Sequence, residues 1–184
     1  YEKGTNLSNL HLTLLDRVGI HMDSFVDSTG KIEDLFAGRG VTSATHTASD
    51  DQGMDEVRRA MTIHDRGLIF ANLVDFDTQY GHRNDPAGFA AALERFDAAF
   101  GRLRDRLRGD EMAWITADHG NDPTTPGTDH TREYTPLIVS GPRVRDAVDL
   151  ATRASFADVG ATPAELFSLH PPPAGESFLA ELRA

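Results

Sequence analysis

Two stretches of the chain gather side chains that bind cations. Residues 72–83, "NLVDFDTQYGHR", hold Asp75, Asp77 and His82. Residues 116–133, "TADHGNDPTTPGTDHTRE", hold Asp118, His119, Asp129 and His130. Each follows an apolar run, "GLIFANLV" (67–74) in one case and "MAWIT" (112–116) in the other. A mixture of imidazole and carboxylate suits Mn²⁺, Zn²⁺ or Fe²⁺. It is poor for Mg²⁺ or Ca²⁺, which prefer oxygen alone. Open α/β sheets place ligands just beyond the carboxyl ends of their strands. Two neighbouring strands would therefore deliver both clusters to one crevice, and a two-metal site is one reading of that pattern. A plainer reading stands beside it. An Asp after a strand is often a turn residue or a helix cap, and a loop His is often solvated. Gly81, Gly120 and Gly127 permit tight backbone paths in both segments. His11, His21, His46, His64 and His170 lack such a carboxylate cluster and read as ordinary.

The elements that would position these loops can be placed by pattern. Residues 7–17 have helical apolar spacing, and 19–26 fit a strand. Residues 27–40 are turn-rich. Residues 49–65 read as an N-capped helix, with acids early and Arg58 and Arg59 later, as the macrodipole favours. The run 67–74 fits a buried parallel strand. Residues 85–109 give the clearest helix, with Asp85 as cap, Pro86 in the first turn and Gly109 as its stop. Its expected core face is Ala90, Leu93, Phe96, Phe100, Leu103 and Leu107. Strands are expected at 112–116 and 135–141, and a helix from 158. "HPPPAG" (170–175) is a rigid turn before a C-terminal tail. Strand and helix alternating in this way imply an α/β sheet.

Composition narrows the chemistry. With 29 acidic and 18 basic residues among 184, the formal net charge is −11, which argues against a nucleic-acid-binding surface. A phosphorylated substrate is still accommodated, because bound cations reverse the local field. There is no cysteine, so a metal must use His, carboxylate, backbone or water. No apolar run approaches the ~20 residues of a membrane span. The start, "YEKGTNLSNL", has neither a signal pattern nor an initiator Met. It reads as a processed chain or one cut from something larger, and the expected location is the cytoplasm.

The two long motifs together resemble phosphopentomutase, of the alkaline phosphatase superfamily. "KIEDLFAGRGVT" (31–42), "DQGMDE" (51–56) and "SFADVGAT" (155–162) resemble the same family in the same order. The resemblance implies interconversion of ribose 1-phosphate and ribose 5-phosphate, and of the 2-deoxyribose equivalents, through a phosphorylated Thr and two Mn²⁺ ions; Zn²⁺ or another divalent metal is the alternative. By motif, Asp77, His82 and His130 would hold one ion, Asp118 and His119 would supply part of the shell of the other, and Lys31 would contact the substrate phosphate. The implied fold is α/β, a partial alkaline-phosphatase-like core with a mostly parallel sheet and flanking helices. Residues 1–184 would be a single C-terminal part of that core, with the N-terminal strands, the nucleophilic Thr and the cap domain missing. The chain alone is then expected to be inactive as a mutase. Its expected partners are pentose phosphates and the missing N-terminal part, with self-association through exposed sheet edges. A fragment of a cofactor-independent phosphoglycerate mutase, a metal-dependent phosphatase and a non-catalytic metal-binding module are the alternatives. "DFDTQYGHR" and "GTDHTRE" favour phosphopentomutase.

Overall fold

Helix α1, Asp50–Ile63, begins where the sequence places a serine before a run of acids. Ser49 is extended, and its hydroxyl accepts from the Gln52 N–H at 3.2 Å. The Gln52 carboxamide in turn accepts from the Ala48 N–H at 2.7 Å, so donors that the helix itself cannot use are satisfied. Asp50 and Asp51 put negative charge on the positive end of the helix dipole. The computed structural model describes residues 41–183. The expected elements at 7–17, 19–26 and 27–40, and Lys31, lie outside the described residues. The chain divides into two compact units, Tyr1–Gln79 and Tyr80–Ala184.

In the first unit, α1 buries Gly53 and Met54. A side chain at position 53 would bring Cβ to 2.9 Å from Leu73 Cδ2, so glycine permits this approach. The run 67–74 is not the buried strand expected. Residues 67–72 are exposed, with Leu68 69% and Phe70 70% accessible. A strand requires a ladder partner for its backbone groups, and among the described residues this run has none.

The second unit opens its main helix, α2 (Pro86–Arg104), as expected: Asp85 accepts from the Gly88 N–H at 2.9 Å and Pro86 follows it. The helix stops at Arg104 rather than at Gly109. Looser turns then continue the coil, with Arg106 and Leu107 donating to Leu103 and Arg104, until Gly109 takes a left-handed conformation at φ +53°. The buried stripe is Ala92, Ala99 and Leu103, with Phe96 and Phe100 stacked at 6.0 Å alongside. Ala90 and Leu93, expected inside, are exposed. The stripe has turned by about one position because the small Ala92 and Ala99 lie on the packed side.

Strands β1 (Ala113–Thr116) and β2 (Leu137–Ser140) pair antiparallel, Ala113 opposite Ser140 and Thr116 opposite Leu137. This departs from the mostly parallel arrangement expected. A parallel partner needs a crossover, usually a helix, and residues 117–136 contain none. The segment instead doubles back on itself, with a Gly120–Thr131 bridge beyond the strand ends.

Helix α3 (Ala157–Leu166) and the short α4 (Leu179–Leu182) complete the unit. The supposed tail is its best-buried part. Phe178 is fully buried, Leu179 and Leu182 are each 2% accessible, and Phe178 lies 5.3 Å from the Trp114 ring. Asp158 fastens this segment: its carboxylate accepts from the Glu176 N–H at 2.8 Å and from Arg153 Nε at 2.9 Å. Thr162 donates to the Asp158 carbonyl and accepts from the Phe178 N–H. The Glu176 N–H and then the Arg153 guanidinium hold the Asp158 carboxyl below the ordinary carboxylate range, against the opposing effect of burial. A depressed folded-state pKa contributes stability above the unfolded pKa, and this is lost as pH falls through the folded value. Acid unfolding followed by circular dichroism should therefore have a shallower acid limb in Asp158→Asn than in the native chain, alongside a lower stability at neutral pH. Among the described residues no helix is long and apolar enough to cross a membrane.

Candidate metal centre

The chain leaves the first unit through a π-helical turn, Phe76–Tyr80, and continues into a 3-10 turn, Gly81–Arg83. Asp77 sits half-buried in the π turn, and His82 is half-buried in the next. Asn84 ends the pair in a left-handed conformation, φ 48°, which Asn tolerates better than most residues. Its carboxamide donates to the Thr125 carbonyl at 2.9 Å and reaches Pro123 at 3.4 Å. Gly81 lets this turn press against Asn121; a Cβ there would fall 2.2 Å from Asn121 Nδ2. His82 Nδ1 bonds the Thr128 carbonyl. A carbonyl only accepts, so Nδ1 carries the hydrogen, which in the neutral ring leaves Nε2 as the lone-pair nitrogen. Metal-binding histidines are held in this way.

The loop opposite is organised by Asp122. Its carboxylate accepts from the Thr124 N–H at 2.8 Å, the Thr124 hydroxyl at 2.7 Å and the Thr125 hydroxyl at 3.1 Å. Hydrogen bonds from the Thr124 hydroxyl and backbone hold its pKa below the usual value. The Asp122 N–H donates to the Thr131 hydroxyl at 2.7 Å, and that hydroxyl donates to Glu133. Thr131 N–H reaches the Gly120 carbonyl at 3.0 Å. The loop is thereby pinned at both ends, with His119 and His130 brought together.

Within the second unit three imidazoles gather. His130 stacks on His119 with ring centroids 3.6 Å apart and lies 4.9 Å from the His82 ring. His119 Nδ1 lies 3.2 Å from the Gly120 carbonyl, and Nε2 lies 3.6 Å from an Asp118 carboxylate oxygen. Protonated rings at such separations would repel, whereas divalent cations take neutral imidazoles as ligands. The donor set fits a divalent transition metal. His130 was expected with His82, and the structure also sets it against His119. Asp118 is exposed beside them. Asn84, Asp122 and Thr131 were not singled out from the sequence as part of the site. "NDPTT" carries a detectable signal for one of them, an Asp followed by hydroxyl residues that close on it.

The Metalloenzyme superfamily matches residues 16–171. A protein of Caldanaerobacter subterraneus subsp. tengcongensis named phosphopentomutase is 51% identical over 157 residues, 85% of this chain and 40% of its own length. One of Herpetosiphon aurantiacus with the same name is 46% identical over 171 residues, 93% of this chain and 44% of its own. Another, of Anaeromyxobacter dehalogenans, is 51% identical over 170 residues, 92% and 43%. The chain thus spans less than half the length of these curated relatives. With the superfamily match running through both histidine-bearing segments, the chain belongs to the Metalloenzyme superfamily.

Proposed function

We propose that this chain is the metal-binding part of a phosphopentomutase core, and that the whole protein interconverts ribose 1-phosphate and ribose 5-phosphate and their 2-deoxyribose equivalents. The observation that carries the reading is the cluster of His82, His119 and His130 in a chain about half identical to proteins of that name. Divalent metal dependence goes with the superfamily, and we assign the metal as Mn²⁺, with Zn²⁺ as its competitor. Asp77, His82 and His130 are the ligands of one ion, and Asp118 and His119 belong to the other. Bound cations of this kind stabilise the charge that develops on a transferring phosphoryl group.

The protein groups have distinct tasks. Thr128 fixes the tautomer of His82 through its carbonyl. Asn84 ties the 81–84 turn to the other loop through the Thr125 carbonyl, and Asp122 braces that loop from within, so the imidazoles need little reorganisation when a substrate arrives. Lys31 supplies a positive charge for the substrate phosphate. A mutase must park the phosphoryl group on an acceptor while the sugar turns. The resemblance to phosphopentomutase places the acceptor Thr in the N-terminal part of the family, so it is assigned to the rest of the whole protein. Pentose phosphates and that remainder are the partners. The compartment is the cytoplasm, where sugar phosphates are retained. Self-association would follow if exposed apolar runs such as 67–72 pair between copies.

A protein of the relatives' full length that carries this chain is expected to convert ribose 1-phosphate to ribose 5-phosphate with Mn²⁺ and a trace of ribose 1,5-bisphosphate. The isolated chain should show no conversion above background. Robust turnover by the isolated chain, or none by the longer protein, would refute the assignment.

A further inference from the structure

Asp50 and Asp75 exchange two hydrogen bonds. The Asp50 N–H donates to Asp75 Oδ2 at 2.9 Å, and the Asp75 N–H donates to Asp50 Oδ1 at 3.1 Å. Both residues are half-buried and both belong to the first unit. Each carboxylate thus satisfies the other residue's backbone donor, which closes a ring between distant parts of the chain. One side of the ring is the first residue of α1, which is rigid for local reasons: Ser49 and Gln52 cap it, and Gly53 is packed against Leu73. The other side is the residue that starts the turn containing Asp77. That turn is closed again just beyond Asp77, where the Thr78 N–H donates to the Val74 carbonyl at 2.9 Å and its hydroxyl to the same oxygen at 3.0 Å.

We infer that Asp50 is a positioning residue for Asp77: it fixes the Asp75 backbone and, through it, the direction in which Asp77 presents its carboxylate. The inference rests on the assignment of Asp77 as a ligand. What the ring requires at position 50 is an acceptor of the right length. Groups that orient metal ligands typically change affinity by about 10–100-fold when removed.

The test is calorimetric titration of the 184-residue chain with Mn²⁺ alone. Asp50→Ala should weaken binding by about tenfold. Asp50→Asn keeps an oxygen acceptor of the same reach and should stay within about twofold of the native affinity. In an Asp77→Ala background, Asp50→Ala should add nothing, because the residue it positions is gone. Native affinity in Asp50→Ala with weakened affinity in Asp77→Ala would overturn the positioning role and leave the ligand assignment intact. Native affinity in Asp77→Ala would overturn both. An Asn variant as weak as the Ala variant would also overturn it, since the charge itself would then be what matters. If Asp50→Ala does not fold by circular dichroism, Asp50→Ser carries the same expectation, its hydroxyl being too short to span to the Asp75 N–H.

Discussion

Alanine at position 130 is expected to weaken Mn²⁺ binding by at least about 100-fold, a larger loss than that from removing a group that only orients a ligand. His130 lies between the other two imidazoles, 3.6 Å from His119 and 4.9 Å from His82 by ring centroid. Taking it away removes a ligand and also the group common to both neighbours. The fold should hardly notice. His130 is exposed, and the loop it belongs to is fastened by Asp122, Thr131 and Gly120 instead. Exposed substitutions of this kind usually change stability by about 0.5 kcal/mol or less. Isothermal titration and thermal unfolding of the same sample separate the two effects. An affinity within threefold of native would show that the imidazole cluster is packing alone, with the metal held elsewhere.

The opposite pattern is expected for Phe178→Ala. Phe178 is fully buried, packs on the Trp114 ring at 5.3 Å and lies under the Arg153 guanidinium at 5.3 Å. Truncating a buried Phe costs about 3–5 kcal/mol, partly from lost transfer energy and partly from the cavity left behind. Trp114 is the only tryptophan of the chain, so its fluorescence reports on the damaged contact directly. Urea unfolding read at tryptophan emission should show a large drop in midpoint. Leu169, 64% exposed, is the control, and Leu169→Ala should leave the midpoint nearly unchanged. Equal midpoints for native and Phe178→Ala would mean that the C-terminal segment is not part of this core.

What could be read from the sequence follows the range of the interactions involved. The starts of α1 and α2 were legible because a cap is local: Ser49 needs only Gln52, and Asp85 needs only Pro86 and Gly88 to be recognised. The nearness of His82 and His130 was legible from residue type, although the strand at 67–74 from which a shared crevice was expected is not among those observed. The buried stripe of α2 was half legible. Phe96, Phe100 and Leu103 follow from period, but whether Ala92 or Leu93 faces inward depends on the neighbour's shape. The return of β2 against β1 was missed because direction depends on how residues 117–136 fold back, through side-chain bonds of Asp122 and Thr131 that no apolar period encodes. The run 67–74 has the composition of a buried strand, yet composition states a requirement for a partner and cannot supply one. Phe178 was overlooked for a related reason: "SFLAEL" after a proline turn looks peripheral until Asp158 and Thr162, far back in the chain, are seen to hold it.

That last attachment has a consequence for how the protein is made. Phe178, Leu179 and Leu182, among the second unit's most buried side chains, follow α2, β1 and β2 in chain order and so are translated after them. At about 5–20 residues per second, α2, β1 and β2 emerge some seconds before the segment that seals them. During that interval Trp114 and the inner side of α3 have no cover, and Asp158 has no Glu176 N–H to accept from. The nascent unit therefore waits with an open apolar surface and with Asp158 held by Arg153 alone. The unit is thus most open to chaperone binding, or to misassociation with a neighbouring nascent chain, in the interval before residue 182 emerges from the ribosome.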